Sequence, residues 1–280
     1  MKDSYIYVVK PIDADHFLQL SNYFLCFFRT TKGTLVEMRK VKLFCLPYAG
    51  GSSAAIYYKW KKYLDSNIEV VPVELAGRGR RMSESSYDSM LNAVEDVYNI
   101  IKPIIKDCDY AFYGHSMGTI IAFELCRKIM SENERQPLHL FVSGRYPPST
   151  RRAEKYLSRL PDNIFLEEVC KLGGTSTEIV ANKELCDIFV PILKADYRII
   201  EEYKYINSDK KFNCGITAFN GKGDTEVSYN EVKEWGKHTL LQNPIYEFEG
   251  NHFFINDKIA EITEIINSTI YGIITESACY

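Results

Sequence analysis

The chain has no excess of basic residues. Its 280 residues include 34 lysines and arginines against 37 aspartates and glutamates, a net charge of −3. Proteins that grip nucleic acid usually carry a basic surplus, so no nucleic-acid partner is expected. A hydrophobic run long enough to cross a bilayer is also missing. The most apolar N-terminal stretch, Phe17–Phe28 (FLQLSNYFLCFF), is short and interrupted by polar residues. Asp13 and Asp15 stand just before it, where a secretory signal would carry positive charge. The expectation is a cytoplasmic protein with no membrane partner. There is no CxxC pair among Cys26, Cys45, Cys108, Cys126, Cys170, Cys186, Cys214 and Cys279, and most of these lie inside apolar runs. That spacing excludes a disulfide framework or a zinc site and points to buried free thiols. Internal repeats and low-complexity segments are absent too. Histidine is scarce: only His16, His115, His139, His238 and His252.

What is present is ordinary globular composition, 46% hydrophobic and 25% charged, in a chain long enough to bury a sizeable core. Short apolar runs read as buried strands at Val41–Leu46, Ile68–Val73, Tyr110–Tyr113, Leu138–Ser143 and Cys214–Phe219, with a weaker one at Ile245–Glu249. Helix-length patterns lie between most of them, at Ala54–Leu64, Tyr87–Ile105, Met117–Met130, Glu226–Trp235 and Lys258–Ile270. This alternation predicts an α/β fold, a mostly parallel central sheet with helices on both faces. One interval breaks it. Residues 145–208 show two or three helical patterns and no convincing strand, which suits a helical lid inserted over a site; a small helical domain without a gating role is the alternative.

The sharpest local signal is Gly114-His115-Ser116-Met117-Gly118, a G-x-S-x-G pentapeptide between a strand pattern and a helix pattern. A serine at such a joint must turn so sharply that the residues two before and two after have to be small. The turn lifts the hydroxyl above the sheet, and the helix N-terminus behind it favours developing negative charge. Ser116 is therefore the candidate nucleophile. A serine hydroxyl needs a base, and on this architecture an acid and then a histidine follow the serine in the chain. His139 sits within a strand pattern and His238 at a helix end, where an exposed role is the plainer reading. His252 falls in a loop between the last strand and the last helix, at the sheet edge where sites collect, and is the candidate base. Asp162, Asp187 and Asp196 lie in the insertion and Asp209 in a polar turn. Asp224 comes just after the Cys214–Phe219 strand and is the candidate acid, with Glu226 its nearby competitor. An oxyanion hole needs two backbone N–H groups. Met117 supplies one, and Ala49, in the loop LPYAGGSS after the first core strand, the other, with Gly50 as fallback. That loop lacks the Lys-Ser/Thr ending of a phosphate-binding P-loop.

The segments LFCLPYAGGSS, PVELAGRGRR, FYGHSMG, LFVSGRYPP, LGGT, LKADYRIIEEYKY, AFNGKGDTEV and EGNHFFI follow one another in an order and spacing that resemble the type II thioesterases. These are stand-alone α/β-hydrolases that accompany non-ribosomal peptide and polyketide synthases, and medium-chain fatty acyl thioesterases belong with them. The resemblance spans roughly Val41 to Ile270. It implies an α/β-hydrolase fold over residues 1–280 as a single domain, with 1–40 an N-terminal extension and 145–208 the helical lid. It implies a serine hydrolase of acyl thioesters on the phosphopantetheine arm of an acyl or peptidyl carrier protein, editing misloaded or stalled groups. By position Ser116, Asp224 and His252 match the triad and Met117 and Ala49 the oxyanion donors. No metal or organic cofactor is implied, and a monomer is the family's usual state. A general carboxylesterase, or a chain-releasing medium-chain fatty acyl thioesterase on the same fold, is the alternative. Two departures stand out. Ala76 replaces the family's proline before Gly77-Arg78, and the residues before Val41 run longer and more apolar than usual. Tyr7–Ile12 resembles a short lead-in, and Asp13–Arg39 reads as an extra hairpin or an extension. The basic clusters Gly77–Arg81 and Thr150–Arg152 suit an acidic carrier protein, or are plain solvated charge.

Overall fold

The computed structural model describes residues 27–29, 35–37, 39–152, 156–173 and 182–277. Tyr7–Ile12, most of Phe17–Phe28, His16, Cys26 and Cys279 lie outside them. The chain divides into two compact units, Met1–Arg39 and Lys40–Tyr280. In the first, β1 (Phe27–Arg29) pairs antiparallel with β2 (Leu35–Glu37), with Phe27 opposite Glu37.

The second unit holds β3 (Val41–Leu46), β4 (Ile68–Pro72), β5 (Asp109–His115), β6 (His139–Ser143), β7 (Gly215–Gly221) and β8 (Ile245–Phe248). They form one six-stranded sheet in the order β4-β3-β5-β6-β7-β8, every pair parallel. The helices are α1 (Ser53–Tyr57), α2 (Met90–Ile105), α3 (Met117–Ser131), α4 (Asp162–Cys170), α5 (Lys183–Glu201), α6 (Tyr229–Val232) and α7 (Ile259–Ser277). Strands buried on both faces are near-continuous apolar runs: β5 is buried over its whole length, and its middle, Tyr110–Tyr113, is apolar throughout. On one face Met90, Val94, Val97 and Ile101 of α2 pack with Ile120, Ile121 and Leu125 of α3. On the other, Ile262, Ile266, Ile270 and Ile274 make a four-residue-spaced stripe along α7, packed with Tyr57 and Trp60.

Element ends follow local chemistry. Ser89 stops the second helix pattern from starting at Tyr87, because its hydroxyl caps the Asn92 N–H at 3.1 Å. The Ala54–Leu64 pattern is α1 followed by a 3₁₀ turn, Tyr58–Lys62. Tyr57 and Trp60, three residues apart, are both fully buried there with rings 5.0 Å apart, and the tighter helix suits that spacing. Glu226–Trp235 likewise becomes α6 and a 3₁₀ turn, Lys233–His238. The last helix runs seven residues beyond Ile270, to Ser277. Among the described residues, no helix is long and apolar enough to cross a membrane.

The sheet order fixes where a site can form. The chain moves outward from β3 to β4, then returns to place β5 on the other side of β3. Loops at the carboxyl ends of β3 and β5 therefore diverge and leave a crevice. The register pairs Leu46 with Gly114 across that divide and His115 with Ser143 on the next strand. Residues 145–208 contain α4 and α5 and no strand among the described residues. They bury a small apolar cluster of their own, Phe165, Leu166, Val169, Val190 and Leu193, against which Ala49 packs.

Candidate active site

Ser116 sits between β5 and α3 with φ 52° and ψ −113°, a left-handed backbone that a serine adopts only under constraint. The constraint is visible on every side. The Ser116 N–H donates to the Ser143 carbonyl at 2.8 Å. The Thr119 hydroxyl donates back to the Gly114 carbonyl at 2.7 Å. A Cβ on Gly114 would come within 2.3 Å of the Gly118 carbonyl oxygen, and one on Gly118 within 2.4 Å of the Leu46 carbonyl oxygen. Both glycines of the pentapeptide are thus required by backbone contact. The second contact also brings the end of β3 against the first turn of α3.

Asp224 and His252 lie on the loops after β7 and β8. The two loops continue side by side past the strands, with Lys222 N–H bonded to the Phe248 carbonyl at 2.8 Å and Gly223 N–H to the Gly250 carbonyl at 2.9 Å. This extension sets His252 Nδ1 2.7 Å from Asp224 Oδ2. The other carboxylate oxygen accepts the Glu226 N–H at 2.8 Å. Glu226, the competitor for the acid, gives its amide to this pair. Both side chains are shielded, Asp224 with 0% and His252 with 7% of the side chain exposed. A carboxylate at Nδ1 holds the proton there and leaves the Nε2 lone pair to act as a base. His115 joins the base to the elbow: its ring centroid lies 5.3 Å from that of His252, and its Nδ1 meets the Ser143 hydroxyl at 2.8 Å. Burial pushes the His115 imidazole well below its ordinary range, so it stays neutral. Tyr48 stacks edge-on against Phe253 and His115 and closes one wall.

Of the other described histidines, His139 and His238 do not enter the site. His139 Nε2 meets the Thr217 hydroxyl at 2.8 Å inside the sheet. His238 is half-buried against Phe123, with Nε2 2.7 Å from the Ser149 hydroxyl; the exposed position expected for it is corrected by this packing. Asp162 pairs with Lys194 at 2.6 Å, and Asp187 and Asp209 are exposed.

The loop after β3 starts against the first turn of α3, where a Cβ on Gly118 would come within 2.7 Å of the Pro47 carbonyl oxygen. Among the described residues, neither the Ala49 nor the Met117 amide has a hydrogen-bond partner. The Gly50 amide has one, Asp196 Oδ2 at 2.7 Å, and so cannot serve as the fallback donor. Arg78 reaches the same carboxylate with both terminal nitrogens, at 2.5 and 2.7 Å. Arg78 and Asp196 have 3% and 1% of their side chains exposed. Sequence reasoning missed this clamp. The two charges sit inside the segments PVELAGRGRR and LKADYRIIEEYKY, but 118 residues separate them and nothing in one chain announces the pair. The proline missing at Ala76 leaves Arg78 in place. Elsewhere the basic clusters are largely consumed: Arg81 bonds Glu84 and Asp96, and Arg152 grips Glu231 twice at 2.7 Å, which leaves Arg80 and Arg151 exposed. Of the cysteines, Cys45, Cys126 and Cys214 are buried thiols, while Cys108, Cys170 and Cys186 are half-buried.

The arrangement is that of a serine hydrolase: a strained hydroxyl at a helix start, a shielded imidazole–carboxylate pair, and two available amides. Residues 41–270 match the thioesterase domain family. The gramicidin S biosynthesis protein GrsT of Aneurinibacillus migulanus is 38% identical over 227 residues, which cover 81% of this chain and 88% of that protein. The crystal structure of ClbQ from the colibactin NRPS/PKS pathway superposes with a TM-score of 0.80 at 40% identity, covering 84% of this chain and 98% of that one. The type II thioesterase BorB from the borrelidin biosynthetic cluster gives a TM-score of 0.75 at 29% identity over 82% of this chain and 93% of its own. The chain belongs to the thioesterase domain family and carries its catalytic unit on an α/β-hydrolase fold.

Proposed function

We propose that this protein hydrolyses acyl thioesters on the phosphopantetheine arm of an acyl or peptidyl carrier protein, clearing misloaded or stalled groups from a non-ribosomal peptide or polyketide assembly line. The observation that carries the reading is the shielded Asp224–His252 pair at 2.7 Å, with the His252 ring 5.3 Å from that of His115, the residue before the strained Ser116, in a chain whose relatives are named for such pathways. His252 takes the Ser116 proton as the oxygen attacks the thioester carbonyl. The Ala49 and Met117 amides receive the oxyanion; one such donor is worth about 3 kcal/mol of barrier. The phosphopantetheine thiolate leaves with a proton from His252. A water activated by the same imidazole then attacks the acyl-enzyme, and the acid departs from Ser116. No step calls for a metal or an organic cofactor. Helices α4 and α5 act as the lid over the arm. Carrier docking draws on Arg80 and Arg151, because the other arginines of both clusters are engaged within the chain. The enzyme works as a cytoplasmic monomer.

The test loads carrier protein with acetyl, longer fatty acyl and aminoacyl groups and follows each by mass spectrometry, beside the same groups on a small thiol and on p-nitrophenol. The wild type is expected to clear carrier-bound thioesters faster than the free ones, and Ser116→Ala to clear none. Cleavage of the small esters alone would overturn the carrier partnership and leave a general esterase. Preference for long fatty acyl carriers alone would favour the medium-chain alternative.

A further inference from the structure

The oxyanion loop is gripped from two sides. On one, the buried carboxylate of Glu74 accepts the Ser52 hydroxyl at 2.8 Å and the Ser53 N–H at 2.9 Å. On the other stands α5. Phe189, Leu193 and Asp196 lie on one helical face, four and three residues apart, and all three meet Gly50. A Cβ on Gly50 would come within 2.8 Å of Leu193 Cδ1 and 3.0 Å of the Phe189 ring. Gly50 also has φ +72°, and the Gly51 N–H bonds the Tyr48 carbonyl at 3.0 Å. Tyr48-Ala49-Gly50-Gly51 is therefore a tight turn whose third residue is left-handed, the type II signature. The Asp196 carboxylate on the Gly50 amide, with Leu193 and Phe189 against the same residue, anchors this turn to α5.

We infer that α5 holds the second oxyanion donor in place, with Asp196 the positioning residue: its carboxylate anchors Gly50, the residue next to Ala49, and so fixes the position of the turn that carries the Ala49 amide. The inference rests on the reading of Ser116 as nucleophile and Ala49 as donor. Stability alone does not account for the pair, since buried ion pairs can commonly be replaced by apolar residues at no loss. What apolar residues cannot replace is the acceptor for Gly50. Arg78 holds the carboxylate in place with two bonds, and the same Oδ2 that takes Arg78 takes the amide. The consequence is that the hole is complete only while α5 is seated, so acyl transfer and lid position are one event.

The test compares two double variants of the full chain. Arg78→Leu/Asp196→Leu removes both charges and the acceptor. Arg78→Leu/Asp196→Asn removes both charges but keeps a carbonyl oxygen for Gly50. Each is assayed for kcat and KM on an acyl thioester, for melting midpoint, and for Ser116 labelling by a fluorophosphonate, whose phosphoryl oxygen uses the same hole. The leucine pair is expected to lose at least about tenfold in kcat and in the labelling rate constant, with KM within about twofold. The asparagine pair is expected to stay within about threefold of wild type, although its buried amide makes it the less stable of the two. Equal kcat in the two pairs, or wild-type kcat in the leucine pair, would overturn the inference. Should the leucine pair not fold, Arg78→Met/Asp196→Met removes the same acceptor with more adaptable side chains and is read in the same way. A wild type that the probe does not label at Ser116 overturns the nucleophile reading, and the inference with it.

Discussion

Ser116, the proposed nucleophile, shows how much of such a site is backbone. Its φ of 52° costs on the order of 1–3 kcal/mol for a residue with a Cβ, and the surrounding hydrogen bonds hold it there. Glycine adopts positive φ freely, but alanine does not. Ser116→Gly should therefore raise stability by about 1 kcal/mol while abolishing hydrolysis, and Ser116→Ala should abolish hydrolysis without that gain. Urea unfolding of the three proteins measures the difference. Equal midpoints for glycine and alanine would mean that the turn stores no strain. The turn needs both flanking glycines as well. Their Cβ positions collide with backbone oxygens, and no side-chain rotation relieves such contacts.

Single elements position the proposed catalytic groups through their ends. The loops after β7 and β8 reach beyond their strands as a bonded pair, and that extension closes the 28-residue gap between Asp224 and His252. Gly221 ends β7 where a Cβ would stand 2.5 Å from the Asn251 carbonyl oxygen, directly before His252. Gly221→Ala should push the histidine loop outward and lower kcat by about a hundredfold, as ångström-scale misplacement does, with the sheet intact by circular dichroism. Unchanged kcat would place the tolerance of the loop above that displacement. This element scale is also where the sequence was most and least legible. Strand runs such as Val41–Leu46 were readable because a doubly buried strand leaves an uninterrupted apolar run, and Ser116, Asp224 and His252 because each follows such a run. The 3₁₀ turn at Tyr58–Lys62 was not, since its spacing serves two buried rings rather than a helical stripe. Nor was Asp196, which reads as one more lid aspartate until α5 is laid over Gly50.

Across the whole molecule, scarce histidines make a pH device of the core. Burial pushes His139 down to about 3 and His238 down to about 4, against an ordinary value of 6.5. Both are neutral when folded near pH 6 and become protonated more readily when unfolded. The unfolded state then binds more protons below pH 6.5, so stability is full above that value and falls as pH drops toward 4 and 3. Each such group contributes a slope of at most about 1.4 kcal/mol per pH unit in that window. Glu231 extends the fall. Held down to about 2 by its bonds to Arg152, it adds stability above its ordinary 4.5 that is lost between there and 2. The two stages are separable because His139, the first residue of β6, bonds Thr217 of β7 while Arg152 and Glu231 bond each other, and glutamine can replace the Thr217 bond. His139→Gln should lose about 2 kcal/mol less than wild type between pH 7 and pH 5, go on losing less than wild type down to about pH 3, and show the same further loss only below about pH 3. Urea denaturation at these pH values measures it. If variant and wild type lose equal stability between pH 7 and 5, the sheet tolerates a charged imidazole at 139, and the acid sensitivity belongs to His238 and the carboxylates.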